Sequence, residues 1–173
     1  MKKSTIIAAA QASPIYLDRE KTIEKACDMV SKAAGKKAGL VVFPEAFVPG
    51  YPDWTWVVPN HRGDILNHLY TLLLENAVAI NQGHLEPICK AAKRGKIWVV
   101  IGFHERNAES SNQSLYNSNL TIDDKGQIRH VHRKLIPTAG ERLVWGQAPG
   151  CDLEVFDLPF ARVGGLLCWE NYM

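Results

Sequence analysis

Hydrophobic and polar positions recur along the chain with two periods. The helical period, with apolar residues at i, i+3, i+4 and i+7, predicts a helix from Asp18, the expected N-cap, to Gly35, the expected end. Similar patterns predict a helix capped by Asp64 and another from Leu85 to Arg94. Short apolar or alternating runs predict strands, the first of them buried, over residues 5–11, 40–43, 97–104, 115–122, 127–133, 153–156 and 161–167.

The order of these elements predicts one α/β domain over residues 1–173 with a mixed sheet. Strands and helices alternate in the first half, and the turn sequence of residues 123–126 predicts a hairpin between the strands that flank it. Residues 44–60 hold four prolines, which predicts an irregular loop whose aromatic side chains are buried. No closing helix is expected after the last strand.

Composition excludes two classes of protein. The net charge is only +2, and basic residues are scattered among acidic ones, so the chain offers no surface for nucleic acid. No apolar run reaches the roughly 20 residues that span a bilayer, so no membrane partner is expected. The four cysteines show no CxxC motif and no framework spacing, which favours a reduced, cytoplasmic protein.

Cys168 is the first candidate for chemistry. It follows the apolar run of residues 163–167, and a cysteine on a tight turn at a strand end exposes its sulfur and aims the next backbone N–H groups at one point. The alternative is a buried cysteine that only packs. The six histidines carry no recognisable catalytic signature, so a Cys–His mechanism is possible but unsupported.

Three charged residues are candidates to act on this sulfur. Glu45 lies among aromatic residues and prolines directly after a strand, where a carboxylate suits a general base. Lys134 ends a hairpin strand and could stabilise an anion, and Glu141 could orient it or position water. The alternatives are a plain ion pair for each glutamate and a solvated lysine. Because these groups follow strands whose ends share one edge of a sheet, we expect them to converge.

The motifs around these residues resemble a known family. Phe-Pro-Glu-Ala-Phe at 43–47, Arg-Lys-Leu-Ile-Pro-Thr at 133–138 and Gly-Leu-Leu-Cys-Trp-Glu at 165–170 are similar to the three signatures of the carbon–nitrogen hydrolase (nitrilase) superfamily. Amidases of that family typically have Tyr-Asp after the cysteine. Trp169-Glu170 instead resembles the nitrilase and cyanide-hydrolase branch.

The resemblance implies an α-β-β-α sandwich that forms homo-oligomers built from dimers and needs no metal or organic cofactor. It also implies a mechanism: Glu45 takes the proton of Cys168, and the thiolate adds to a small-molecule nitrile to give a thioimidate. Lys134 and the backbone N–H of Trp169 stabilise the negative charge, and Glu141 assists in activating water. A thioester follows, and the products are a carboxylic acid and ammonia.

Members of that family are considerably longer than this chain. We therefore expect an incomplete sandwich, truncated at its C-terminus, that is poorly active alone. Two alternatives are an amidase with the same catalytic residues and an inactive fragment that acts only by association with full-length subunits. A metal site is a weaker alternative, because the spacing of His130, His132, Cys151 and Cys168 matches no standard zinc pattern.

Aromatic residues near the motifs are candidates for substrate binding. Tyr51, Trp145 and Trp169 are the first choices, and Trp54 and Trp56 are further ones. The alternative, which we favour for at least two of the tryptophans and tyrosines, is that they belong to the core. The identity of the nitrile and the size of the oligomer are left open.

Overall fold

A computed structural model describes residues 4–107 and 113–172. Four α-helices lie within these ranges: α1 (Arg19–Gly35), α2 (Trp54–Val57), α3 (Gly63–Glu75) and α4 (Glu86–Gly95). Seven strands accompany them: β1 (Ile6–Ala9), β2 (Ala38–Val42), β3 (Trp98–Arg106), β4 (Leu115–Ile122), β5 (Ile128–Arg133), β6 (Val155–Asp157) and β7 (Arg162–Gly164). Short 3-10 turns cover Ile80–Gln82, Ala139–Leu143, Gly150–Asp152 and Cys168–Tyr172.

Five strands form one mixed sheet in the order β1-β2-β3-β4-β5. The pairs β1–β2 and β2–β3 are parallel, and β3–β4 and β4–β5 are antiparallel, as the predicted hairpin requires. Strand β5 therefore runs in the same direction as β2 and β3. The C-terminal ends of β2 and β5, which precede Glu45 and Lys134, consequently lie at the same edge of the sheet.

Each face of the sheet carries its own apolar cluster. Helices α1 and α4 cover one face, where Val41, Val99, Ile101 and Leu120 are buried with the apolar sides of both helices. The β6–β7 hairpin covers the other face, where Phe156 stacks on Trp98 at 6.4 Å between ring centroids. This helix–sheet–sheet layering confirms the α/β class and matches three layers of the predicted sandwich. The outer helical layer is not among the described residues.

Helix α1 forms where the sequence pattern predicts it. Asp18 caps it by accepting a hydrogen bond from the backbone N–H of Lys21 at 3.0 Å. Ile23, Ala26 and Val30 recur on one side and are buried against the sheet. Burying an aliphatic side chain of the size of valine or isoleucine contributes about 1.5–3 kcal/mol, so this stripe holds the helix in place.

Four local expectations are wrong. Strand β1 is not buried, because it lies at the edge of the sheet, and Ile6 and Ile7 are more than half exposed. Asp64 does not cap α3; its carboxylate pairs with Arg62 inside the first turn. A one-turn helix, α2, interrupts the proline-rich loop. The final strand ends at Gly164, because the backbone leaves the hairpin before it reaches Cys168.

Among the described residues, no helix is long and apolar enough to cross a membrane.

Candidate active site

Lys134 lies at the centre of the candidate site, between two carboxylates. Its Nζ donates to Glu141 Oε2 at 2.8 Å and to Glu45 Oε1 at 3.0 Å. The side chains of Lys134 and Glu141 are 1% and 3% exposed, whereas that of Glu45 is 25% exposed. Glu141 therefore lies on the inner side of the ammonium group, and Glu45 lies where solvent and a ligand can reach it.

These contacts explain why Lys134 is charged although it is buried. Burial alone would lower the pKa of Lys134, but the hydrogen bonds that it donates to Glu141 and Glu45, and the charges of these two carboxylates, outweigh burial and raise the pKa above its ordinary value. The site therefore holds a permanent ammonium group at neutral pH. Such a group can stabilise negative charge that develops on a bound reactant.

Glu45 is held by the turn that follows β2. The next residue, Ala46, has a φ of 50°, a left-handed conformation that costs a residue with a Cβ about 1 kcal/mol or more. The turn runs directly over Gly102 of β3, where a Cβ would lie 2.7 Å from the Ala46 backbone nitrogen and 2.8 Å from the Glu45 Cα. Only glycine at position 102 allows this close approach.

Asn117 of β4 aligns both members of the Glu45–Lys134 ion pair. Its Nδ2 donates to Glu45 Oε1 at 2.6 Å, and its backbone carbonyl accepts from the backbone N–H of Lys134 at 2.7 Å. The sequence reasoning missed this residue. The sequence does contain an indication of it, because Asn117 is a polar residue in the interior of a predicted strand. A polar side chain that is buried there needs a hydrogen-bond partner.

Glu141 belongs to a 3-10 turn with a capping box. Its Oε2 accepts from the backbone N–H of Thr138 at 2.6 Å, and the Thr138 side chain accepts from the Glu141 backbone in return. Its second oxygen accepts from the Tyr51 hydroxyl at 2.7 Å. Burial and the hydrogen bond to Glu141 both raise the pKa of Tyr51, so the phenol stays protonated and donates.

Cys168 lies at the start of the Cys168–Tyr172 turn and is exposed. Its φ of 54° is left-handed, so the predicted tight turn is present although the preceding strand is shorter than expected. Among the described residues, the thiol and the backbone N–H of Trp169 have no hydrogen-bond partner. A free thiol followed by a free N–H is the arrangement that a nucleophile and an oxyanion site require.

The Cys168 turn is attached to the strand end that carries Lys134. Glu170 accepts hydrogen bonds from the backbone N–H of Leu135 and from that of Leu167, which directly precedes Cys168. Beside this contact, Trp169 lines a shallow cleft of about 400 Å³ together with Ile136, Pro137, Thr138, Ala139 and Arg142. From the sequence, Glu170 indicated only the nitrilase branch of the family, and its hydrogen bonds to the backbone were not predicted.

The aromatic candidates divide into core and surface residues. Trp54 and Trp145 are buried in one apolar cluster, as the core interpretation expects. Trp145 nevertheless borders the site, because Lys134 Nζ lies 5.8 Å from its ring centroid and Tyr51 packs edge-on against it. Trp169 and Trp56 are more than half exposed, and the Trp56 indole N–H donates to the Tyr51 hydroxyl.

The four residues named for a metal site have other surroundings. His132 donates to Glu170, His130 faces Glu154, and Cys151 and Cys168 are exposed free thiols. In the part of the chain that the structure describes, no group of three or more His, Cys, Asp or Glu side chains is placed to hold a metal ion.

Sequence comparison identifies relatives of this chain. The family model described as carbon-nitrogen hydrolase matches residues 6–173. An arylacetonitrilase from Aspergillus niger is 41% identical over 95% of this chain, and an aliphatic nitrilase from Rhodococcus rhodochrous is 39% identical over 96% of it. These matches cover 47% and 44% of the two relatives, so the chain spans about half the length of the curated relatives it matches.

Structural comparison shows the same fold in an amidase. A crystal structure of an amidase from Nesterenkonia sp. has a TM-score of 0.67 and 14% sequence identity, over 98% of this chain and 60% of the amidase. A variant of that amidase carries the acetamide moiety of fluoroacetamide covalently at its active-site cysteine, with a TM-score of 0.66 and 14% identity over 94% and 55% of the two chains.

Proposed function

This chain belongs to the carbon–nitrogen hydrolase family, and on that premise we propose that it hydrolyses a nitrile to a carboxylic acid and ammonia. The two sequence relatives are named an arylacetonitrilase and an aliphatic nitrilase, which favours a nitrile over other carbon–nitrogen substrates. The family assignment makes the protein a hydrolase of non-peptide carbon–nitrogen bonds. The substrate follows from the likeness to these nitrilases.

The observation that carries the proposal is the buried ammonium group of Lys134 between Glu45 and Glu141, beside the Cys168 turn. A carboxylate that is open to solvent can accept the proton of a thiol, and a fixed cation next to it can stabilise the anion that forms. The second, enclosed carboxylate keeps the cation charged and oriented. This division of roles explains why the site contains two glutamates.

The reaction proceeds in two stages. Glu45 takes the proton of Cys168, the thiolate adds to the nitrile carbon, and the proton passes from Glu45 to the nitrogen, which gives a thioimidate. Lys134 and the Trp169 N–H stabilise the negative charge that develops on the nitrogen. Water activated by Glu45, with Glu141 assisting, adds to the same carbon, ammonia leaves, and a thioester is formed. A second water releases the carboxylic acid and returns the proton to the thiol. Two waters are consumed for each ammonia released.

Tyr51, Trp145 and Trp169 are assigned to the substrate side of the site. Trp169, the residue after Cys168, lines the shallow cleft, whereas Tyr51 contacts Glu141 and Trp145 lies beside Lys134. An apolar or aromatic group on the nitrile fits such walls. The spacing of the cysteines favours the cytoplasm, and the family resemblance implies a homo-oligomer built from dimers.

A carboxamide is the second candidate substrate, because the fold is shared with an amidase. The thiolate would add to the amide carbon, ammonia would leave directly, and the same thioester would follow. The residues after the cysteine, Trp169-Glu170 in place of Tyr-Asp, favour the nitrile.

Parallel assays with a nitrile and its matching amide test the proposal. We expect the purified protein to release ammonia and acid from an arylaceto- or aliphatic nitrile faster than from the amide. Cys168→Ala should release none from either substrate, whereas Cys151→Ala, which changes another exposed thiol, should keep the full rate. Faster amide hydrolysis would establish the amidase instead, and ammonia release by Cys168→Ala would overturn the nucleophile. Inactivity of the unaltered protein together with binding to longer relatives would support the associating fragment.

A further inference from the structure

The carboxylate of Glu170 accepts three hydrogen bonds that the reaction scheme does not use. Its Oε1 accepts from the backbone N–H of Leu135 at 2.8 Å, and its Oε2 accepts from the backbone N–H of Leu167 at 2.7 Å and from His132 Nε2 at 2.8 Å. The side chains of Glu170 and His132 are 4% and 0% exposed. All three partners are donors, so a carboxylate, which only accepts, satisfies them together.

The three partners of Glu170 lie close to Lys134 or Cys168 in the sequence. His132 and Leu135 lie on either side of Lys134 in the sequence, at the end of β5, and Leu167 is the residue before Cys168. One buried carboxylate thus holds the His132 side chain and the Leu135 backbone, which flank Lys134 in the sequence, and the backbone that leads into the thiol. Glu170 itself touches neither Cys168 Sγ nor Lys134 Nζ by a hydrogen bond.

The conformation of Cys168 needs such support. Its left-handed φ is unfavourable for a residue with a Cβ and persists only when surrounding contacts impose it. The Leu167 bond to Glu170 holds the turn before Cys168, and Asn171 Nδ2 holds it afterwards by donating to the Cys168 carbonyl at 2.9 Å. Of these two contacts, only the one to Glu170 also reaches the strand of Lys134.

We propose that Glu170 is a positioning residue that sets the distance between the Cys168 thiol and the Glu45–Lys134 pair. This inference rests on the proposed function, because it assumes that this pair acts on the thiol. Glu170 takes no part in the chemistry: it fixes the turn and the strand end to one another, so that the thiol meets the base at the distance that proton transfer needs.

Glu170→Gln tests the proposal with little change in shape. A glutamine has one accepting oxygen, so in either orientation its NH₂ group faces the backbone N–H of Leu135 or of Leu167, and one tie is lost. The rate of alkylation by iodoacetamide is measured at each cysteine by peptide mass spectrometry in the intact protein. Cys151, which is also exposed, is the internal reference. Glu24→Gln, on α1 at the opposite face of the sheet, is the matched control.

We expect Glu170→Gln to slow alkylation of Cys168 relative to Cys151 by about tenfold, because a small displacement of a reacting group has a large effect on rate. Glu24→Gln should leave the ratio unchanged. A ratio for Glu170→Gln that stays near that of the unaltered protein would overturn the proposal.

A double-mutant cycle with Glu45→Gln separates positioning from general stability. Glu45 Oε1 receives both hydrogen bonds of that side chain, so glutamine keeps them and loses only the charge. We expect Glu45→Gln to slow alkylation of Cys168 strongly in the unaltered protein and little in the Glu170→Gln background, a coupling of about threefold or more. If the two substitutions change the alkylation rate by independent factors, Glu170 only stabilises the fold, and the proposal is overturned.

Two further outcomes distinguish a failure of the positioning role of Glu170 from a failure of the proposed function. If Glu45→Gln alone leaves the rate unchanged, the base assignment fails, and the Cys168-to-Cys151 ratio of Glu170→Gln then decides the positioning role. If Glu170→Gln does not fold, Glu170→Asp keeps the negative charge but is one methylene too short to reach both backbone N–H groups, and the same cycle is run on it. A coupling that is smaller than threefold but measurable supports the proposal, and the absence of any coupling overturns it.

Discussion

At the scale of single residues, the site depends on charges that are buried together. Lys134 could not remain charged among apolar side chains without Glu141 and Glu45, and removal of one member of such a buried pair commonly costs about 3–5 kcal/mol. The same contacts that stabilise the fold therefore hold the chemical groups in position. A residue such as Lys134 serves stability and reactivity at once.

His104 shows what burial does to a single titratable residue. Its Nδ1 accepts from the Trp145 indole N–H at 2.9 Å, so the hydrogen of the neutral ring must lie on Nε2, which donates to the Gly50 carbonyl at 2.8 Å. Complete burial lowers the pKa of His104 to about 4. The neutral imidazole thus joins the loop of residues 49–51 to Trp145 and, through it, to the site.

The pH dependence of stability follows from this shift. In the unfolded chain a histidine binds its proton near pH 6.5, but His104 in the folded protein binds it only near pH 4, so the unfolded state gains protons first as the pH falls. The contribution of His104 to stability is complete above pH 6.5 and decreases below it. Between pH 7 and pH 5 the linkage relation gives a loss of about 2 kcal/mol.

His104→Gln should remove that part of the pH dependence. Urea unfolding at pH 7 and pH 5 measures the loss of unfolding free energy, which we expect to be about 2 kcal/mol smaller in the variant than in the unaltered protein. The same replacement at His68, which is exposed, is the matched control. Equal losses in His104→Gln and the unaltered protein would contradict the assignment.

At the scale of elements, the site is assembled from turns that follow strands. The turns that contain Glu45, Glu141 and Cys168 each include a non-glycine residue with positive φ, namely Ala46, Ala139 and Cys168. Such conformations cluster where surrounding structure imposes a local geometry. Strands β2, β4 and β5 provide the rigid support, since Asn117 of β4 bonds both Glu45 and the Lys134 backbone.

Gly102→Ala tests how closely β3 supports the Glu45 turn. The new methyl group would press on the backbone of residues 44–46, and overpacking of this kind costs about 1–3 kcal/mol. Because the displaced backbone carries Glu45, we expect hydrolysis to fall by more than this loss of stability explains. Urea unfolding and the ammonia assay measure the two effects.

Gly35→Ala is the matched control for this prediction. A methyl group at Gly35, the last residue of α1, would meet no atom within 4 Å. We expect its activity to equal that of the unaltered protein and its unfolding free energy to be unchanged or higher by up to about 1 kcal/mol, since alanine favours a helix over glycine. If Gly102→Ala behaves in the same way, the backbone contact does not control the position of Glu45.

At the scale of the whole molecule, one edge of the main sheet is apolar and open. Among the described strands, β1 pairs with β2 alone, and Ile6 and Ile7 are 55% and 58% exposed. An uncharged edge strand with unpaired backbone groups is a template for association with another chain. We therefore expect the protein to associate as its concentration rises.

Ile7→Lys should weaken this association without lowering the unfolding free energy, because a charge on an edge strand opposes pairing with a second chain. Sedimentation velocity over a range of concentrations measures the effect. Val57→Lys, on the short helix α2 and 75% exposed, is the control and should associate as the unaltered protein does. An unchanged mass distribution for Ile7→Lys would show that association uses another surface.

Much of this molecule could be predicted from the order of its residues. Apolar periodicity predicted α1, α4 and the strands of the main sheet, because side chains that face one core must recur with the period of the element. The three motifs also indicated the family and marked Glu45, Lys134 and Cys168 as candidates, since each stands where a strand gives way to a turn.

Only the tertiary structure decided which groups meet. The sequence could not show that Asn117 aligns Glu45, that Glu170 joins the Cys168 turn to β5, or that β1 is exposed at an edge. Residues 45, 117 and 134 are far apart in the chain, and residue 170 is far from residues 132 and 135, so no local pattern records these contacts. Strand order and register bring them within hydrogen-bond distance, and burial then determines which of them are charged.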